Sequence, residues 1–246
     1  MNINNNKLIK LLKWDTSFFG FPVAIIKKNT INKKSIKKII NFCKKYKIKL
    51  LMFSCNPKNP ENVILAEKYK FHFADMRLIF EKDISNYKLK KQLPKNLQCT
   101  LAKQKDEKSL KKISKDIYKD SRYYFDRNFD KNKIKEFYLN WISKSLNGKL
   151  DDYVFMLVQR KNPIGYITIK HFNKHTVRIG LVGIDSKKKN KGFGKMILTN
   201  VLMKLKNKGI NKIYVVTQGR NYNAQRLYQK CGFVTSSAEI WYHLWF

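Results

Sequence analysis

Glycine and proline are scarce in this chain, 10 and 5 among 246 residues, and cysteine and histidine number only 4 each. Collagen-like and low-complexity architectures depend on the first two and are excluded by their shortage. Cys43, Cys55, Cys99 and Cys231 stand far apart with no C-x-x-C pair, and His72, His171, His175 and His243 are equally scattered. A metal site is therefore not expected, and the thiols read as reduced structural residues. Apolar runs are short as well, none approaching the ~20 residues a membrane span needs. The opening "MNINNNKLIKLLKWD" lacks the continuous apolar stretch of a secretory signal. The expectation is a soluble, cytoplasmic protein.

Acidic residues are also few: 17 Asp and Glu face 53 Lys and Arg, for a formal net charge of +36. That balance taken alone suggests a nucleic-acid partner. Arginine, however, is itself among the missing residues, supplying only 7 of the 53. Guanidinium is the group that reads phosphates and guanine edges bidentately, so a dedicated nucleic-acid binder rarely avoids it. Lys, Asn and Ile share A/T-rich codons, and an A/T-rich genome yields this composition with no binding role. No specific nucleic acid is expected as a partner.

What is present is a core, with 43% hydrophobic and 13% aromatic residues. Near the N-terminus "KLIKLLKW" and "PVAIIKK" read as strands around a turn-like "DTSFFGF". A helix follows over "NKKSIKKIINFCKKYK", where Ile36, Ile39, Ile40 and Cys43 recur at helical spacing. "LLMFSC" reads as a buried strand, "NPENVILAEKYKF" as a helix capped by Asn59 with Pro60 at its first position, and "FADMRLIFEKD" as a strand. The lysine-rich segment 86–96 reads as a linker. Beyond it come a strand "LQCTLAK" and helices over 108–121 and 131–146, separated by the aromatic loop "RYYFDRNF". Three strands then follow, the first two joined by a Lys161-Asn162 turn, before a helix stopped by Gly209. A strand "NKIYVVTQ", a helix "NYNAQRLYQKCG" and a closing strand "EIWYHLWF" complete a mixed α/β chain. The expected division is an N-terminal lobe over 1–90 and a second domain over 97–246.

One loop stands out. In "GLVGIDSKKKNKGFGKMILTNVL" a strand ends at Ile184, and Gly192 and Gly194 precede a helix. Free N–H groups and the positive end of a helix dipole converge at such a turn, and glycine lets a phosphate approach the backbone. The loop is not a dinucleotide-binding G-x-G-x-x-G, which is incomplete here, nor a Walker A loop, whose G-K-[ST] ending is absent. Downstream, Asn221 to Phe233 reads N-x-x-A-x-x-L-Y-x-x-x-G-F.

Together, Lys189-Asn190-Lys191-Gly192-Phe193-Gly194 and the Asn221–Phe233 signature resemble the Gcn5-related N-acetyltransferases (GNAT) over about residues 97–246. Lys189 stands where that family usually has Arg or Gln. The resemblance implies a GNAT fold, a mixed and splayed β-sheet flanked by helices, with acetyl-coenzyme A as cosubstrate and no metal. It implies a pyrophosphate cradle at Lys189, Asn190, Lys191, Gly192, Phe193, Gly194 and Lys195. The pantetheine arm is expected along Val182, Gly183 and Ile184, within the splayed stretch from Gly180, with Asn221 and Ala224 beside it. Tyr228 aligns with the family's general acid, which protonates the departing sulfur. The base stays open among His243, Asp126, Asp130 and a water chain.

"WDTSFFGF" near the N-terminus, "SRYYFDRNF" and "WYHLWF" are similar to segments of the bacterial TDP-fucosamine acetyltransferases. The resemblance implies an acceptor amine on a nucleotide-linked sugar, of the dTDP-4-amino-4,6-dideoxy-galactose type, for surface polysaccharide synthesis. Arg122, Tyr123, Tyr124 and Arg127 would suit it, with guanidinium for diphosphate and rings for stacking. A protein or polyamine amine is the alternative, and a basic nucleic-acid-binding protein a further one. A net charge of +36 suits a dianionic acceptor better than a polyamine. A homodimer is among the oligomeric states left open. Finally, Asn59–Phe71 aligns without gaps on Asn221–Phe233, with Ala66 where Tyr228 stands. The first lobe is thus read as a degenerate half-copy of the fold that binds no cofactor.

Overall fold

The computed structural model describes residues 6–88, 92–115 and 117–246. Two units emerge, one of Met1–Arg77 with Ala238–Phe246 and the other of Leu78–Ser237. The division falls inside a strand rather than in the lysine-rich segment near residue 90, and the C-terminal residues return to the first unit. Positions 89–91 of the expected linker, position 116 of an expected helix and the first five residues lie outside the described residues. Long-range strand pairing sets these boundaries, and composition carries no trace of it.

In the first unit, β1 (Ile9–Leu11) runs antiparallel to β2 (Val23–Ile26), and β2 parallel to β3 (Leu50–Cys55). Residues Ile240–Trp245 of β10 (Val234–Trp245) run antiparallel to β3. Helices α2 (Lys33–Lys45) and α3 (Pro60–Lys68) follow β2 and β3. The aromatic turn expected around "DTSFFGF" is mostly a short helix, α1 (Lys13–Phe19). It forms because Gly20, at φ 81°, supplies the left-handed cap that a two-turn helix needs, its N–H donating to Thr16 O.

The second unit holds β5 (Leu97–Leu101), β6 (Tyr153–Gln159), β7 (Asn162–Asn173) and β8 (Thr176–Ile184) in antiparallel succession. β9 (Lys212–Gln218) runs parallel to β8, and β4 (His72–Asp83) lies next to β9. The β6–β7 turn falls at Arg160 and Lys161, one residue earlier than expected, with Gln159 paired to Asn162. Both central residues have positive φ, 47° and 67°, because only a turn of that hand follows the twist of the strands it joins.

Among the described residues, the α-helices of this unit are α4 (Glu107–Ser114), α5 (Arg122–Phe125), α6 (Lys131–Leu146), α7 (Phe193–Lys206) and α8 (Tyr222–Lys230). α4 is shorter than its apolar pattern suggested, and α5 sits inside the expected aromatic loop, capped by Ser121, which accepts from Tyr124 N. α7 anchors the core. Its Ile197, Leu198, Val201, Leu202 and Leu205 are fully buried against Ile167 and Ile169 of β7, Val177 and Ile179 of β8 and Ile213 of β9. At about 1.5–3 kcal/mol per buried aliphatic side chain, this stripe fixes where the first turn of α7 lies.

Candidate active site

The site begins where two strands part. β8 and β9 are in register from Thr176–Lys212 to Ile179–Val215, and the pairing ends there. Yet β8 continues to Ile184 and β9 to Gln218. A bulge marks the departure: Ile167 faces Val182 and Ile169 faces Ile179, so β8 carries one residue more than β7 between them. Such an insertion bends the strand and increases its twist. Thr168 holds the bulge, its Oγ1 accepting from Leu181 N at 2.8 Å. Gly180 is required here, since a Cβ would come within 2.6 Å of that oxygen and 3.0 Å of Asp151 Oδ1. Val182, Gly183 and Ile184, the expected coenzyme-facing residues, all lie beyond the last β8–β9 pair.

From Ile184 the chain makes a 3₁₀ turn (Ser186–Lys188), with Asp185 accepting from Lys187 N, and enters α7. Asn190 and Gly192 take left-handed conformations, φ 61° and 77°. Gly192 is the N-cap of α7 and provides no side-chain acceptor for its first N–H groups. The first intrahelical bond comes from Met196 N to Gly192 O, so the amides of Phe193, Gly194 and Lys195 precede the helix ladder. Among the described residues, none of Lys187, Lys188, Lys189, Lys191 and Lys195 takes part in an ion pair. Uncapped amides, the dipole of a 14-residue helix and unpaired ammonium groups all favour a polyanion. Gly194 also governs helix packing, since a Cβ there would meet Leu227 Cδ2 at 3.3 Å, and its absence lets α8 approach α7.

α8 is set by its ends. Asn221 caps it, accepting from Ala224 N at 3.1 Å, which commits that oxygen to the helix rather than to a ligand. At the other end Gly232, at φ 78°, donates to Gln229 O, and Phe233 N donates to Tyr228 O. Ala224 and Leu227, like Val182, Ile184 and Phe193, are partly buried against the same core cluster. Tyr228 is 4% exposed, its ring between Phe80 and Phe233 at 5.8 and 5.9 Å. Among the described residues its hydroxyl has no hydrogen-bond partner, and burial pushes the phenol well above its ordinary value. It is a protonated donor with its hydrogen bond still to give.

A buried polar group that sequence reasoning passed over lies against β8. The Tyr166 ring packs on Gly183, where a Cβ would fall 2.5 Å from its Cε1. Its hydroxyl lies 2.6 Å from Ser114 Oγ and 2.5 Å from Tyr118 Oη. Beside the bulge, fully buried Asp151 accepts from Trp141 Nε1 at 2.9 Å and Ser145 Oγ at 2.7 Å through Oδ2. Its Oδ1 has no partner among the described residues. Tyrosines and serines spread over a chain with 13 Tyr give no pattern, and only register brings these together.

The remaining expectations meet the structure unevenly. Tyr123 is 5% exposed and its ring is occupied by Phe129 and Phe137, so it is not available for stacking on a ligand. Arg122 covers that ring and donates to its hydroxyl at 2.9 Å. Tyr124 is half-buried and carries Lys131 over its face, while Arg127 is exposed. Asp126 accepts from Asn128 N at 2.9 Å, and Asp130 caps α6 by accepting from Lys133 N at 2.8 Å, so both carboxylates hold local backbone in place. His243 belongs to the first unit, paired with Met52 on β3 and 1% exposed. Among the described residues no three His, Cys, Asp or Glu side chains gather as a metal site would require, and no described helix is long and apolar enough to cross a membrane.

Residues 114–233 match the Acetyltransferase (GNAT) family. The chain is also similar to the spore coat polysaccharide biosynthesis protein SpsD of Bacillus subtilis, 22% identical over 142 residues, covering 57% of this chain and 48% of that protein. The match thus spans about half of that relative. Among solved structures, a GCN5-related N-acetyltransferase from Sphaerobacter thermophilus superposes with a TM-score of 0.68 at 10% identity, covering 96% of this chain and 76% of the other. A tandem GNAT protein from the clavulanic acid biosynthesis pathway gives 0.63 at 10% identity, covering 92% and 76%. At such identities these likenesses speak for the fold.

Proposed function

We propose that this chain is an N-acetyltransferase that uses acetyl-coenzyme A, a reading supported by the match of residues 114–233 to the Acetyltransferase (GNAT) family. The observation that carries the reading is the junction of three features in one unit: β8 leaving β9 after Ile179, an uncapped α7 N-terminus at Gly192, and Tyr228 with an ungripped hydroxyl. Amides of Lys191 to Lys195 and the loop lysines hold the diphosphate, and Val182 to Ile184 offer unpaired strand edge to the arm. The thioester supplies an activated acetyl group. The attacking amine forms its bond to the carbonyl carbon as the C–S bond breaks, the sulfur takes the Tyr228 proton, and the proton that the new amide nitrogen sheds leaves through water, which restores the phenol.

For the acceptor we propose a nucleotide-linked amino-deoxy sugar of the dTDP-4-amino-4,6-dideoxy-galactose type. Support comes from a net charge of +36, which favours an anionic substrate, and from the similarity to a polysaccharide biosynthesis protein. Thiol release from acetyl-coenzyme A against a panel of dTDP- and UDP-amino sugars, spermidine and a lysine peptide tests it. Turnover highest on an amino sugar is the expected result. Turnover confined to spermidine or peptide contradicts the sugar assignment and keeps the acetyl transfer.

The first unit we read as a half-copy of the same fold whose cofactor site has been closed. α3 repeats the caps of α8: Asn59 accepts from Asn62 N, Lys70 at φ 61° donates to Glu67 O, and Phe71 N donates to Ala66 O. At the counterpart of Ala224 stands Asn62, whose Oδ1 accepts from Ile31 N at 2.7 Å. α2, the counterpart of α7, is closed by Asn32, which accepts from Ser35 N in a capping box. What α7 leaves open, α2 satisfies with its own side chains.

A further inference from the structure

Tyr118, Tyr166 and Ser114 form a hydroxyl chain with a fixed direction. Ser114 Oγ lies 2.9 Å from Leu110 O, a carbonyl that can only accept, so the serine gives its one proton there. It must then accept from Tyr166 at 2.6 Å, and Tyr166 in turn accepts from Tyr118 at 2.5 Å. With its proton committed inward, the Tyr118 oxygen presents only lone pairs to anything else that approaches. The chain lies on β8 beyond the last β8–β9 pair, because the Tyr166 ring rests on Gly183. Tyr118 and Tyr228 also lie within electrostatic reach of one another.

From this polarity we propose that Tyr118 holds the acceptor amine, its oxygen taking a hydrogen bond from an amine N–H and aiming the nitrogen lone pair at the thioester. The inference rests on the acetyl-transfer reading above. Tyr118 binds the N–H without removing a proton, which leaves it distinct in role from Tyr228, the donor to sulfur. The ring is fixed in place, stacked on Tyr138 at 4.3 Å and 21°. Tyr118 and Ser114 line a shallow pocket together with Lys115, Lys119, Lys135 and Tyr124. The lysines gathered around Tyr118 favour an amine carried on an anionic molecule and repel a polycation.

Steady-state kinetics on dTDP-4-amino-4,6-dideoxygalactose, with acetyl-coenzyme A binding measured separately by calorimetry, tests the assignment. Tyr118→Phe keeps the ring and removes the oxygen. It is expected to raise the amine KM at least ~10-fold while coenzyme Kd moves less than ~2-fold. Ser114→Ala frees the Tyr166 proton to turn toward Tyr118, which reverses the chain and makes Tyr118 a donor. It is expected to raise the amine KM in the same direction, with coenzyme Kd again unmoved, and the double variant to be no worse than Tyr118→Phe, as for two groups acting through one hydrogen-bond chain. If Tyr118→Phe does not fold, Ser114→Ala carries the same test. An amine KM within ~2-fold of wild type in a folded variant that binds coenzyme overturns the proposal. So does a wild type that binds coenzyme and takes no amine. A wild type that fails to bind acetyl-coenzyme A instead sinks the acetyl-transfer reading, and the two failures are told apart by the calorimetry.

Discussion

Tyr228 is a phenol whose ring is committed to the core, between Phe80 and Phe233, and whose hydroxyl is not. Replacing it with Phe preserves the packing and deletes the proton. We expect kcat to fall by about 10–10³-fold with coenzyme affinity nearly unchanged, as measured by steady-state kinetics and calorimetry. An unchanged kcat would remove Tyr228 from the chemistry. The cysteines make a second prediction at this scale. Burial pushes the Cys99 and Cys231 thiols from 9.0 up to about 11, and Cys43 up to about 12. Their folded values lie above the unfolded one, so the stability they contribute is complete below pH 9.0 and is lost as pH rises toward 11. Thermal melts should therefore stay flat with respect to these groups below pH 9 and decline above it, and Ellman's reagent should react only as the chain unfolds. The helical position of Tyr228 and the unpaired state of the cysteines were legible from signature position and spacing, whereas a role for Tyr228 comes from the family resemblance alone. Tyr118, Tyr166, Ser114 and Asp151 were not, because 52 positions separate Ser114 from Tyr166 and only strand register closes that gap.

At the scale of elements, the functional geometry depends on how β8 is allowed to run. Gly183 is its narrow point: a Cβ there would lie 2.5 Å from the Tyr166 ring and 2.7 Å from Ile117 Cδ1. Gly183→Ala should force the ring away, lowering stability by about 1–3 kcal/mol in a denaturant titration and weakening coenzyme binding together with it. Coenzyme binding at wild-type strength in that variant would show that the Tyr166 contact does not shape the site. The helices that matter were readable from local chemistry, since Asn59 with Pro60, Asn221 and Gly232 are cap residues acting within one turn. The bulge at Gly180 and the parting of β8 from β9 carried no such signal in composition or spacing. Both arise from which strand neighbours which, and the family resemblance suggested only the parting. The same limit explains α1, where Gly20 turned an expected loop into a helix, and the displaced β6–β7 turn.

For the whole molecule the central contrast is between two helix N-termini, one closed by Asn32 and Ser35 and one left open at Gly192. Calorimetry should accordingly give a single acetyl-coenzyme A per chain, and a second equivalent site would contradict the half-copy reading of the first unit. Net charge acts at this scale as well: with +36 on the chain, coenzyme affinity should weaken as salt rises, since part of the attraction is long-range. The alignment of Asn59–Phe71 on Asn221–Phe233 was visible in the sequence, but the return of Ala238–Phe246 to the first unit was not, because nothing local distinguishes one closing strand from another. A crystal of the chain with coenzyme A tests the account most directly. The diphosphate oxygens should lie within ~3.2 Å of main-chain nitrogens between Lys191 and Lys195. A diphosphate bound elsewhere, with the first turn of α7 unengaged, would contradict it.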